Sequence, residues 1–329
     1  MRRGAAAPAV LYIGGMGRSG STLLQAMVGQ LPGYVAAGEI RYLWERGLVD
    51  DVLCSCGCRF SECPFWLAVG KRAFNGWETV DAGDILGLQR RLDRHRYLPG
   101  IVGPIRSRRF DADLRRYGGM LRLLFEAIAA ESGAQVVVDS TKDPPHAFLL
   151  RFALGGNLRV VHLVRDSRGV AYSWTKTVRR PEVADHVEYM DTVAPATMAL
   201  KWIDYNALFH ALRLLGSPTA FVRYEDMVEA PADALHKVAR LTGVPLPDTP
   251  LPGADGRVEI KAEHTLSGNP LRFASGFLTI RADDGWRSQM PLRDRRTVLA
   301  LTAPLLAAYG YVPRRRHTAR AGSDQTDEL

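Results

Sequence analysis

The sequence lacks any apolar run approaching the roughly 20 residues that cross a bilayer as a helix, so no transmembrane segment is expected. Internal repeats are missing, as are the aromatic stacking signatures and motifs of nucleic-acid readers, and no nucleic-acid partner is expected. Cysteine is scarce: only four occur, all within "CSCGCRFSECPFW", as Cys54, Cys56, Cys58 and Cys63. The most informative absence is a single lysine. The ATP/GTP loop reads G-x-x-x-x-G-K-[ST], and its lysine reaches the terminal phosphates. In "VLYIGGMGRSGSTLL" (10–24), Gly15 and Gly20 keep that spacing and Thr22 supplies the final hydroxyl. Ser21 stands in the lysine's place, and the nearest cation is Arg18, inside the loop.

What is present bounds the class. A chain of 329 residues, 47% hydrophobic, suffices for one large α/β domain or a domain with an elaborate insertion. "MRRGAAAPAVLYIGG" starts like a signal peptide, but its apolar part leads directly into the glycine loop, and it reads as the first strand. The final "TDEL" resembles a retention tail only loosely, and the expected location is cytoplasmic. A net charge of +8 suits anionic ligands without discriminating among nucleotides, acidic substrates and nucleic acid. Four thiols within ten residues offer zinc a ligand set, but their spacing departs from the usual paired C-x-x-C. Disulfides are disfavoured in a reducing compartment. The favoured reading is a tight loop of small buried thiols ahead of Phe65 and Trp66, with no metal required.

Periodicity organises the rest. "AVLYIGG" (9–15) reads as a strand, followed by the loop and by a helix "STLLQAMVGQL" that stops at Pro32-Gly33. "RYLWERGLV" reads as a second helix, and residues 51–110, with weak periodicity, as an insertion or cap. Then come a helix over 112–132, a strand over 134–140, a helix over 144–154, a strand over 158–166 and a helix from about 168. A long helix over 193–215, a fourth strand over 219–226 and helices near 231–242 and 292–309 complete the pattern. The reading is therefore a single α/β domain over 1–312, with a polar, disordered tail over 313–329. Its fold class is a three-layer, P-loop-like fold in which a central parallel sheet is flanked by helices. Ligands of such sheets sit beyond the carboxyl ends of the strands, so the loops 15–22, 139–143 and 165–173 should converge on one edge.

The first of these loops offers backbone N–H groups, a helix N-terminus, two hydroxyls and Arg18, which together can surround a tetrahedral anion. In "VVHLVRDSRGVAYSW", Arg165 ends a strand and Ser173 follows two helical turns later. The pair could grip a second phosphate.

With these two constellations the sequence resembles the sulfotransferases that use 3′-phosphoadenosine 5′-phosphosulfate (PAPS). "GMGRSGSTLL" is similar to their 5′-phosphosulfate loop and "VRDSRGVAYS" to their 3′-phosphate motif; "STKDP" (140–144) and "VRYEDMVEAP" (222–231) extend the likeness over most of the core. The order R-S-G-S-T (18–22), "GEIR" (38–41) and "TKDP" (141–144) resembles the branch containing the protein-tyrosine sulfotransferases. The resemblance implies Glu39 as general base, with Lys142 and Arg18 as catalytic cations. It implies Gly17, Arg18, Ser19, Gly20, Ser21 and Thr22 around the phosphosulfate, and Arg165 and Ser173 at the 3′-phosphate. The glycine-containing stretch 263–291 resembles the segment that closes over the cofactor, so Ser267, Asn269 and Arg272 are assigned to the 3′-phosphate, with Trp286 packed nearby.

The reaction so implied is sulfuryl transfer from PAPS to a hydroxyl of a small-molecule, carbohydrate or lipid-linked acceptor, leaving adenosine 3′,5′-bisphosphate, with no required metal. A homodimer is compatible with it. Alternatives stay open at several points. His146 and His264 are the other candidate bases, and Glu39 could simply favour a helix N-terminus. Asp139, ending "VVVD", could be the Walker-B aspartate of a P-loop kinase or nucleotidase. Tyr224 and Glu225 are read as structural. Segments 42–77 and 90–116 are expected to line the acceptor site. A non-enzymatic basic module that binds nucleic acid or a nucleotide is the remaining reading.

Overall fold

Nine strands appear in a computed structural model of the chain, described over residues 7–180, 183, 187–260 and 263–312. They are β1 (Ala9–Gly14), β2 (Tyr34–Gly38), β3 (Val136–Lys142), β4 (Leu158–Val164), β5 (Arg179–Arg180), β6 (Glu188–Tyr189), β7 (Thr219–Arg223), β8 (Arg257–Ile260) and β9 (Gly276–Thr279). The helices are α1 (Ser21–Gly29), α2 (Pro64–Phe74), α3 (Ala82–Leu92), α4 (Leu98–Val102), α5 (Arg108–Ser132), α6 (Pro144–Leu154), α7 (Ser167–Ser173), α8 (Pro195–Leu214), α9 (Tyr224–Glu229), α10 (Pro231–Thr242), α11 (Trp286–Gln289) and α12 (Leu292–Ala308).

Five strands form an all-parallel sheet in the order β2-β3-β1-β4-β7. β-branched, apolar runs such as "VVVD" and "RVVHLV" suit strands covered on both faces. In β1 the pleat sends Val10 and Tyr12 into one apolar core and Leu11 and Ile13 into the other, and all four are fully buried. On the first face lie α5, α6 and the segment preceding α5; on the second lie α1, α10 and the β8–β9 hairpin. A third cluster joins α7, α8, α11 and α12. β1 has β3 on one side and β4 on the other, so successive connections leave it in opposite directions and open a crevice at its carboxyl end.

The structure departs from the sequence reading in places with clear physical causes. β2, "YVAAG", was not expected: it is short, and its small residues lack a β-branched signature. "RYLWERGLV" is not an α-helix but a 3-10 turn, Ile40–Tyr42, running into a π-turn, Leu43–Gly47. The long helix α5 starts earlier than expected, at Arg108, where the Ser107 side chain accepts from the Phe110 N–H. The weakly periodic region 51–110 contains three helices, and its Trp66, Ile85 and Leu88 are buried in the core that Trp44 and Leu121 share. No helix among the described residues is long and apolar enough to cross a membrane. The tail 313–329 lies outside the described residues.

Candidate active site

The carboxyl edge of the sheet borders a cavity of about 690 Å³. Gly17, Arg18, Gly20, Ser21 and Thr22 line it from the β1–α1 loop, Glu39 from the end of β2, Thr141 and Lys142 from the end of β3, and Arg165 and Ser173 from β4 and α7. The three loops expected to converge do so.

The loop's shape follows from its glycines. Gly20 caps α1 at φ 92°, and a Cβ there would lie 2.5 Å from the Tyr224 ring. The first-turn N–H groups of α1 have no partners within the helix and form the positive end of its dipole. Arg18, inside the loop, takes φ 72°; its Nη2 lies 3.0 Å from Met190 Sδ and its guanidinium 5.6 Å from the centre of the Trp174 ring. Burial holds the Arg18 pKa down, and neighbouring Glu39 works against that shift.

Across the cavity, Lys142 Nζ donates both to Glu39 Oε1 and to the Ser140 carbonyl (2.6 Å to the latter). Lys142 also has a left-handed backbone, φ 74°, where β3 ends. Glu39 is fixed by its own N–H, which donates to the Leu266 carbonyl at 3.1 Å. Gly38 at φ 83° permits that approach, since a Cβ would meet Leu266 O at 2.6 Å. Of five described non-glycine residues with positive φ, three (Arg18, Lys142 and Ser267) line this cavity. Such strain gathers where surrounding structure holds functional groups in place.

Arg165 is 5% exposed; its Nη1 donates to the Arg18 carbonyl (3.0 Å) and its Nη2 to Asp283 O (2.6 Å) and Oδ2 (3.1 Å). Its guanidinium stacks 4.5 Å above the Tyr224 ring. Burial alone would raise the Asp283 pKa, but Arg165 and Lys176 bring it below the ordinary carboxylate value.

The remaining sequence candidates divide. Ser267 and Asn269 line the cavity, and the Asn269 side chain also accepts from Leu271 N. Ser19 is buried and does not line it. Arg272 turns away, its Nη1 donating to the Thr265 carbonyl at 2.8 Å, because this buried segment has carbonyls needing a donor. Trp286 is likewise outside, packed beneath Arg168 and against Gly169. Neither alternative histidine lines the cavity. His146 is fully buried, with Nδ1 3.0 Å from Asp93 and Nε2 3.7 Å from Asp139, and His264 lies against Cys63. Asp139 is also fully buried, its Oδ1 accepting from Thr141 N and Oγ1, and burial raises its pKa. Glu225 is structural as expected, receiving bonds from Asp166 N and Tyr311 OH. Tyr224 additionally lines the cavity.

Further residues line the cavity, of which Trp174, Arg180, Lys201 and Tyr205 carried no sequence signal. Trp174, next to Ser173, donates its indole N–H to the Gly17 carbonyl at 3.0 Å. Tyr42 and Tyr205 donate to the two oxygens of Asp143 (3.2 and 2.6 Å), and Arg46, Arg180 and Lys201 add positive charge. The acceptor expectation is corrected here: from 42–77 only Tyr42, Glu45 and Arg46 reach the cavity, and nothing from 90–116 does. The tryptophans of that region build the core instead.

Cys58 is exposed, whereas Cys54 and Cys63 are buried. Hydrogen bonding from Cys54 and His264 lowers the Cys63 thiol's pKa, and the same Cys54–Cys63 contact, with burial, raises that of Cys54.

Comparison with known proteins identifies the family of the chain. The profile of the sulfotransferase domain matches residues 10–267. The chain belongs to the sulfotransferase domain family, and is a transferase of that class. Similar solved structures include the sulfotransferase domain from the curacin biosynthetic pathway (16% identity, TM-score 0.48, covering 91% of this chain and 98% of that one). Others are the sulfotransferase domain of the Synechococcus PCC 7002 olefin synthase (20%, 0.45, 93% and 97%) and a Mycobacterium avium sulfotransferase (12%, 0.43, 92% and 77%). No curated protein gives a significant sequence match.

Proposed function

We propose that the chain transfers the sulfuryl group of PAPS to a hydroxyl of a small-molecule, carbohydrate or lipid-linked acceptor by in-line displacement. The observation that carries this reading is the convergence, on one cavity, of the 17–22 loop, the Glu39–Lys142 pair, and Arg165 with Ser173. Two separate cationic positions suit a nucleotide phosphorylated at both the 5′ and 3′ positions. The α1 N-terminus, Ser21 and Thr22 fit the 5′ side, and Arg165 and Ser173 the 3′ side.

In this reading Glu39 takes the proton of the acceptor hydroxyl as the new O–S bond forms. The old S–O bond breaks toward the phosphate, and Lys142, Arg18 and the loop N–H groups stabilise the charge that gathers on the departing oxygen. Because these donors are held by the ends of β1 and β3, little reorganisation is needed during the reaction. The order of "RSGST", "GEIR" and "TKDP" supports kinship with the protein-tyrosine branch for the base, without fixing a tyrosine acceptor. Tyr42, Tyr205, Arg46 and Lys201 offer an acceptor aromatic and cationic contacts.

The kinase reading gains nothing from the geometry, since Asp139 does not line the cavity and is bonded to Thr141. Labelled PAPS bound to the protein tests the proposal. Adenosine 3′,5′-bisphosphate should displace it far better than adenosine 5′-phosphosulfate, which lacks the 3′-phosphate. Equal displacement by the two would overturn the assignment of a 3′-phosphate site.

A further inference from the structure

Three of the four cysteines do not pack as scattered small apolar residues. Cys54, Cys56 and Cys63 turn inward from one loop, and His264, about 200 positions later in the chain, completes the group. The four ligand atoms all lie within 4.8 Å of one another. Cys63 Sγ stands 3.7 Å from Cys56 Sγ, 3.8 Å from Cys54 Sγ and 3.2 Å from His264 Nδ1; Cys54 Sγ is 3.9 Å from the same nitrogen.

These separations have a geometric meaning. With Zn–S of about 2.3 Å and Zn–N of about 2.0–2.1 Å, a regular tetrahedron has S···S edges of about 3.8 Å and S···N edges of about 3.6 Å. The two sulfur–sulfur distances match that edge, and the two sulfur–nitrogen distances bracket theirs. A disulfide needs about 2.05 Å between sulfurs, which none of the pairs approaches. The support around the cluster also suits a metal site. Phe65 stacks on the His264 ring at 4.8 Å with 13° between planes, fixing the imidazole. Cys54 N donates to the Cys58 carbonyl and Gly57 N to the Cys54 carbonyl, a tight turn that brings Cys54 and Cys56 to the same side.

We propose that Cys54, Cys56, Cys63 and His264 form a structural Zn²⁺ site of Cys₃His type, with Cys58 outside it. On binding, the thiols lose their protons to solvent, and three thiolates with a neutral imidazole leave the complex at net charge −1. All four positions are filled by protein, so the metal takes no part in catalysis.

The site ties the 52–63 loop to the segment that reaches the cavity. Beside it, Ser55 N donates to Thr265 O (3.2 Å), Ser55 Oγ to Glu263 O (2.7 Å) and Thr265 N to Ser55 Oγ (2.9 Å). Two residues farther on, Ser267 and Gly268 meet the cavity beside Glu39. The metal thus anchors one wall of the active site without touching it.

Cobalt(II) titration of the reduced, chelator-treated full-length protein tests the proposal, with no nucleotide or acceptor present. The expected result is one equivalent bound with intense visible bands of tetrahedral cobalt and a sulfur-to-cobalt charge-transfer band, all bleached by Zn²⁺. Cys58→Ser should titrate like wild type. His264→Ala should lose affinity by more than the roughly 10–100-fold typical of removing a partner that merely supports a ligand. His264→Cys should restore binding with a stronger charge-transfer band. A weak octahedral spectrum in the wild type would overturn the proposal, as would binding that survives His264→Ala but fails in Cys58→Ser. A Cys54–Cys63 or Cys56–Cys63 disulfide in protein purified without added oxidant, with no metal bound, would overturn it equally.

Discussion

In the proposed reaction, much of the chemistry rests on two side chains set at strand ends, Glu39 and Lys142. A carboxylate bonded to an ammonium whose backbone is itself strained is held in one place, as the proposed base role requires. Glu39→Gln keeps the shape and removes the proposed base, so turnover should fall by about 10²–10⁴-fold while adenosine 3′,5′-bisphosphate binding changes little; steady-state kinetics beside calorimetry check this. Undiminished turnover would move the base to another residue. Arg165→Ala should weaken bisphosphate binding by about 10–100-fold, the range expected for a lost hydrogen bond to a charged group, and unchanged affinity would remove Arg165 from the phosphate site. Arg18 and Arg165 were legible in the sequence as cations in a glycine loop and at a strand end, whereas Glu39 and Lys142 were singled out only by the family resemblance, since β2 carried no signal of its own. Trp174, Tyr205 and Arg180 were not legible, because only the packing of distant elements brings them to the same cavity. Arg272 shows the opposite limit: a basic residue in a glycine-containing loop reads alike whether it faces a ligand or, as here, buried carbonyls.

Elements, more than residues, fix the distances between these groups. The β1–α1 loop works because Gly20 allows α1 to begin in a left-handed turn under Tyr224. Gly20→Ala adds a methyl into that ring at an unfavourable φ and should displace the loop N–H groups, lowering bisphosphate affinity more than it lowers thermal stability. Equal affinity in the variant would show that the loop tolerates the shift. The long apolar strands and helices were readable from periodicity and caps, whereas β2 and the 3-10/π segment after it were not. Their residues are small or mixed, and their form is imposed by pairing with β3 and by the Gly38–Leu266 contact. The 263–269 segment likewise takes its shape from contacts far away in sequence. Removing metal with a chelator should increase amide exchange in 52–65 and 263–269 and leave β1, β3 and β4 protected. Uniform protection with and without metal would separate that wall from the cysteine cluster.

At the scale of the whole molecule, stability and function can be tested separately. His162 lies in β4 at 2% exposure, its Nε2 2.8 Å from Asn206 Oδ1, and burial pulls its pKa down to about 4. The unfolded chain takes up that proton near pH 6.5, so between pH 6.5 and 4 it binds a proton the native state refuses. Stability from this group is therefore full above pH 6.5 and declines as the pH falls toward 4, by about 3 kcal/mol in total. Urea unfolding at a series of pH values should show wild type losing that much more than His162→Gln; parallel curves would remove His162 as the cause. The central claim concerns the cavity, where a loop without a Walker lysine meets a second phosphate site. Its most direct test is calorimetry of adenosine 3′,5′-bisphosphate in the absence of magnesium, beside ATP with magnesium. Tight binding of the bisphosphate with little or none of ATP is the expected result, and binding of ATP alone would contradict it.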